Sequence, residues 1–296
     1  MNLTAEQIQN NWNVFLGIIE EHISSPRKEK LLEFYDQYAE RVMLMPAAHK
    51  KEYHNAFPGG YVEHVIRVVR CALKQHQLWA DEDADMSGYT VEELVFAAIN
   101  HDLGKMGDDQ HESYIPQTDQ WRKDKLGEDY KFNDNLEYMS VPDRGLHLLM
   151  SNDIPFSKNE MLAIKLHDGL YDDSNKSYLM SWRPETRPRT SLIFIIHQAD
   201  LMAARIEFEH EWLPKFKNNL PTANKDIILT PKLKKTPTKA AGIIETIILI
   251  AKLLSLYEVL EKSPLNILKI SFRNIKIVLS AVAKCNTTVI TRLSFA

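Results

Sequence analysis

Cysteine is nearly absent: Cys71 and Cys285 are the only two in 296 residues, far apart and in unlike surroundings. That excludes a disulfide framework and a thiolate zinc site, and it predicts a reducing, cytoplasmic setting. Met1 to Glu6 hold no basic stretch followed by an apolar core, so no secretory signal is expected. A charge-free run long enough to span a bilayer is also missing. The best candidate, Ala240 to Leu260, is broken by Glu245, Lys252 and Glu258, and a charge near the centre of an inserted helix costs about 2.5–3.5 kcal/mol. After residue 220 histidine and tryptophan disappear; all eleven histidines and all five tryptophans come before it.

What is present is an ordinary globular mixture, 44% hydrophobic and 26% charged. The net charge of −4 divides unevenly. Residues 1–220 carry 24 Lys and Arg against 36 Asp and Glu, and residues 221–296 carry 12 against 4. Two parts are therefore expected, 1–220 and 221–296. The acidic first part disfavours broad, non-specific duplex binding. In the basic tail, Leu229 to Lys239 reads as a proline-punctuated linker. The Ile/Leu-rich stretch that follows reads as a helix packed on the domain or on a second copy, which would give a homo-oligomer. A membrane-surface helix is the other reading of that stretch.

The first part is patterned as helices throughout, which predicts an all-α fold. Thr4 and Gln7 form a capping box before Ile8, Trp12, Phe15 and Ile19. A second helix is expected over Arg27 to Met43. Pro58-Gly59-Gly60 is a turn before a helix carrying His64 in its first turns, with Arg67 and Cys71 on the same side. Val91, Leu94, Val95 and Ala98 mark an apolar helix that ends at His101 and Asp102, with Gly104 placed to let the backbone turn. Gly107 to Asn135 is polar and weakly periodic, readable as a lid or as a solvated insertion.

Val141 to Arg144 opens a helix carrying His147. Ser157 and Glu160 box another, which leaves through His167-Asp168-Gly169, a second His-Asp exit like the first. Asp200 falls in the middle of an apolar helix capped by Thr190. A buried carboxylate needs a metal, an arginine or a histidine partner, and His197, one turn earlier, is one candidate for it.

The order His64, His101-Asp102, His167, Asp200, together with the segment from His54 to His64 and the His-Asp-Leu-Gly-Lys run at 101–105, resembles the HD superfamily of metal-dependent phosphohydrolases. The likeness covers about residues 50–210 and extends to the lead-in of HD-type exoribonucleases. It implies a helical HD-domain bundle in which His64, His101, Asp102 and Asp200 hold a divalent metal. His167, bridged through Asp102, and less directly His147 would serve a second ion. The chain departs from the family pattern at Val141, where related sequences place a histidine. Nitrogen and oxygen ligands fit Mn, Fe, Mg, Zn, Co or Ni. The implied reaction is attack of a metal-activated water on phosphorus. Asp102, Lys105, Arg67 and Arg144 would serve the chemistry, the three cations near the phosphate, and His54 is either a substrate contact or a plain loop histidine. The expected substrate is a nucleotide or a short single-stranded nucleic acid. The alternative is a nucleotide-binding regulatory module with a degenerate site.

Overall fold

A computed structural model describes residues 3–50, 53–211 and 213. The described residues form an all-α fold of ten α-helices with one two-stranded sheet. The expected boundary near residue 220 and the tail helix lie outside them. Among the described residues no helix is long and apolar enough to cross a membrane.

Helix α1 (Ala5–His22) begins at the Thr4–Gln7 capping box and buries Trp12, Phe15 and Ile19. The segment expected as one helix over Arg27 to Met43 is instead two, α2 (Arg27–Gln37) and α3 (Ala39–Leu44). Tyr38 breaks the run at φ −108°, ψ 18°. There its hydroxyl lies 3.1 Å from an Asp109 carboxylate oxygen and its ring faces Phe34. The Asp109 contact is tertiary and outweighs the local preference to continue.

Helix α4 (Gly60–Asp81) starts behind Gly59, which is left-handed at φ +83°. Gly60 is required by close approach: a Cβ there would lie 2.0 Å from the Asn55 carbonyl oxygen. Helix α5 (Val91–Asn100) is buried at every residue from Leu94 to Asn100, as expected for a helix that is apolar all round. Helices α7 (Val141–Ser151), α8 (Lys158–Leu166) and α10 (Leu192–Glu211) complete the core. Helix α5 packs on α4, α8 and α10, α4 also packs on α10, and α7 lies against α8. The Arg27 guanidinium clamps this bundle. It reaches Glu92 at 2.5 Å and the buried Glu160 at 2.7 Å, and lies 4.3 Å from the centre of the Phe96 ring.

The polar run from Gly107 to Asn135 is a structured insertion. Strands β1 (Tyr114–Pro116) and β2 (Tyr130–Phe132) pair antiparallel with Tyr114 opposite Phe132. Helix α6 (Gln120–Leu126), capped by Asp119, joins them. A short helix α9 (Lys176–Leu179) sits in the second polar loop.

The role expected for Gly104 belongs elsewhere. The left-handed turn is made by Gly107, at φ +97°. Gly104 lies where a Cβ would come within 2.0 Å of the Val141 carbonyl oxygen. It is glycine because the 3-10 turn Leu103–Met106 presses against the start of α7.

Candidate metal centre

Five residues singled out in the sequence converge. His64 comes from α4 and Asp200 from α10, while His101 and His167 cap the C-terminal ends of α5 and α8. Asp102 follows His101 and is almost fully buried. His64 Nε2 lies 3.1 Å from Asp200 Oδ1 and 3.7 Å from Asp102 Oδ2. His101 Nε2 lies 3.4 Å from Asp102 Oδ2 and 3.8 Å from Asp200 Oδ1. The other oxygen, Asp102 Oδ1, lies 3.5 Å from His167 Nε2. Asp102 thus turns one oxygen to each of two imidazole groups.

The tautomers follow from what each Nδ1 meets. His101 Nδ1 donates to the Ala98 carbonyl at 2.8 Å, and His167 Nδ1 donates to the Ile164 carbonyl at 2.8 Å. His64 Nδ1 donates to Glu207 Oε2 at 3.0 Å. A carbonyl or carboxylate can only accept, so Nδ1 carries a proton in each ring, and Nε2 is the atom each ring turns to the cluster. Histidine ligands are oriented in this way around metals. The Nε2 atoms of His64 and His101 are buried without a hydrogen-bond partner.

The spacing suits an ion. With ligand bonds of about 2.0–2.2 Å, neighbouring donors around one ion sit roughly 3–3.5 Å apart. His64 Nε2 with Asp200 Oδ1 and His101 Nε2 with Asp102 Oδ2 meet this; the donor atoms of His64, His101 and Asp200, and of His101, Asp102 and His167, all lie within 4.8 Å of one another, and His167, Asp168 and Asp200 form a third such set. The donors are nitrogen and oxygen only, and two buried Nε2 atoms without hydrogen-bond partners sit among carboxylates. These residues could hold a divalent metal.

Buried carboxylates and basic groups shift one another in the cluster. Burial would raise the Asp102 carboxyl, but Lys105 and His101 hold it well below its usual range. The Lys105 ammonium is 2.5 Å from Asp102 Oδ2 and is itself pushed up by that carboxylate against its burial. Burial would lower His64, yet Glu207 and Asp200 push it up to about 10. His167 is likewise lowered by burial and raised, chiefly by Asp102, to about 9. Burial would raise Asp200, and its histidine neighbours hold it down.

Several expectations are corrected. Arg67 does not reach the cluster: it is held by Glu207 at 3.0 Å and Glu63 at 3.2 Å. Arg144 is committed elsewhere, donating to the Gly104 and Glu137 carbonyls and to the Ser113 hydroxyl. His147 is exposed, 3.5 Å from the Ser151 hydroxyl, because its place on α7 faces solvent. His197 is not the partner of Asp200; its Nδ1 donates to the His167 carbonyl at 2.7 Å. Asp200 keeps 19% of its side-chain exposure because it lines a cavity rather than the core. His54 joins the cluster's edge: its ring is 4.5 Å from that of His64, and His54, His64 and Asp102 form a further candidate ligand set.

Glu207 went unread in the sequence, and Asp168, noted there as part of the second His-Asp exit, was given no ligand role. Glu207 is 1% exposed, and its position seven residues after Asp200 is the available signal, since two helical turns bring both to one face. Asp168 Oδ1 lies 3.6 Å from His167 Nε2.

Beside the cluster lies a cavity of about 630 Å³, lined among others by His54, Lys105, His167, Asp168, His197 and Asp200. No family model matches the chain, and no curated protein or solved structure matches it either.

Proposed function

We propose that the chain is a metal-dependent phosphohydrolase of the HD type, cleaving a phosphoester of a nucleotide or short single-stranded nucleic acid. The observation that carries this reading is Asp102, whose two oxygens face two imidazole groups, each imidazole held by its Nδ1 so that Nε2 is turned to Asp102. His64, His101, Asp102 and Asp200 would hold one ion, and His167 with Asp102 and Asp168 a second. Such ions supply Lewis-acid stabilisation of phosphoryl oxygens and activate water near neutral pH.

The remaining roles belong to the chain's own groups. Glu207 and the Ala98 and Ile164 carbonyls fix the tautomers. Lys105 offsets the charge of Asp102 and lines the cavity, where it can meet a phosphoryl oxygen. His54 faces the same cavity, and burial, then His64, push its pKa down to about 3. It is therefore neutral at pH 7, able to ligate or to accept a hydrogen bond.

The test is metal analysis of the purified chain, then hydrolysis of mono- and diester substrates with Mn, Mg, Co, Zn, Fe and Ni. Asp102→Ala should bind little metal and lose turnover while staying helical. Full activity in that variant sinks the reading. Tight ion binding with no turnover across the panel would replace it with a nucleotide-binding module.

A further inference from the structure

The cavity beside the ligand cluster is unusual in what lines it. His49, Tyr53, Tyr114, Phe132, Tyr171 and Phe208 all contribute rings. Four of these form one group. His49 lies 4.7 Å from Phe132, 5.5 Å from Tyr53 and 6.0 Å from Tyr114, and Tyr114 is 5.4 Å from Phe132. The hairpin register builds the pair, since directly opposed residues project to the same face of the sheet. The Tyr130 amide donates to the His49 carbonyl and ties the ring group to β2. Burial, then Lys50, push His49 down, so its ring is uncharged at neutral pH.

These rings are not spent on the core. Phe132 is 59% exposed, Tyr53 50% and Tyr171 81%. Aromatic surface left at the mouth of a cavity of this size, within the roughly 300–1,000 Å³ of small-molecule sites, is surface for a ligand. The charges say which ligand. Among the described lining residues Lys105 is the only lysine or arginine, and its ammonium is already 2.5 Å from Asp102. Asp168 and Asp200 add carboxylates. Ions in the cluster can offset one phosphoryl group, and each further phosphate would face these acids without a cation.

Resting on the phosphohydrolase reading, we propose that this cavity takes a substrate with a single phosphoryl group joined to a flat aromatic base. The base stacks in the His49, Tyr53, Tyr114 and Phe132 group, and the further phosphates of a nucleoside polyphosphate gain no affinity.

The test is calorimetric binding to the metal-loaded chain, with adenosine monophosphate, ribose 5-phosphate, adenosine triphosphate and inorganic phosphate as probes. Stacking of one base is worth roughly a tenfold change in affinity. The monophosphate should bind about tenfold more tightly than ribose 5-phosphate, and the triphosphate no more tightly than the monophosphate. Phe132→Ala, at an exposed position that should not disturb folding, should remove the advantage of the base, and Phe132→Trp should restore it. Equal binding of the monophosphate and ribose 5-phosphate, tighter binding of the triphosphate, or an equal loss for every ligand in Phe132→Ala would overturn the proposal. The two readings separate cleanly. Hydrolysis of bis(4-nitrophenyl) phosphate without base preference removes the base pocket and leaves the phosphohydrolase. Base preference lost in Phe132→Ala, in a chain that hydrolyses nothing, removes the phosphohydrolase and leaves the pocket.

Discussion

Glu207→Gln exchanges one oxygen for an amide nitrogen in a buried part of the site. The carboxylate accepts two N–H groups at once, His64 Nδ1–H and Arg67 Nε–H, each at 3.0 Å. A glutamine has one acceptor oxygen, so it can serve only one of them. Turning its oxygen to His64 sets its amide against the Arg67 donor, an unsatisfied buried contact worth about 1–3 kcal/mol. Turning its oxygen to Arg67 sets its amide against His64 Nδ1, which must then be unprotonated. The proton moves to Nε2, where Asp200 Oδ1 lies 3.1 Å away. That arrangement suits the ion-free protein and puts a hydrogen where a ligand lone pair is needed. Loss of an orienting partner of this kind typically weakens metal affinity about 10–100-fold, or roughly 1.4–2.7 kcal/mol. Competitive titration against a chelator of known affinity measures it, with circular dichroism to confirm the helices and nitrogen-15 histidine shifts to report the tautomer. A folded variant with affinity within about twofold of the natural chain would refute the tautomer argument.

Three further outcomes are expected. Asp200→Asn should weaken ion binding, so a chelator should lower the melting temperature of the natural chain by mass action and barely move the variant; equal shifts would remove Asp200 from the ligand set. In the ion-free chain His64 and His167 are raised to about 10 and 9. Their stabilisation is full below the ordinary histidine value of about 6.5 and lost as pH rises through 9–10, so the ion-free melting temperature should fall across that window. An ion loaded at pH 7 should expel about two protons in a weakly buffered titration if both rings become ligands, and no release would count against them. Arg27→Ala should cost about 3–5 kcal/mol in denaturant melts, because it strands the buried Glu160 carboxylate; a loss under about 1 kcal/mol would mean that the clamp is a surface pair.

The helices were legible because capping and apolar spacing are local. The boxes at Thr4 and Ser157 open α1 and α8 as read. The cluster was legible in part because His64, His101, Asp102, His167 and Asp200 each sit on or beside a helix whose apolar stripe sets its facing. What failed depended on contacts between distant segments. Spacing alone could not say that Arg67 and Arg144 would be taken by Glu207 and by backbone carbonyls. Tyr38 breaks a helix that its own propensity would continue, through a loop residue some seventy positions away. The hairpin from Tyr114 to Phe132 has strands of three residues, too short for alternation to reveal.

The mirrored exits of α5 and α8 carry a consequence for the entry of an ion. Both helices present their carbonyl ends to the cluster, through His101 and His167 as C-terminal caps. Each such end is equivalent to roughly half a negative charge, and it does not titrate. Added to Asp102 and Asp200, this backbone field favours protons on the rings of the empty cluster, where His64 and His167 are raised to about 10 and 9. A cation therefore competes with those protons for the same nitrogens, and its entry and their departure are one event.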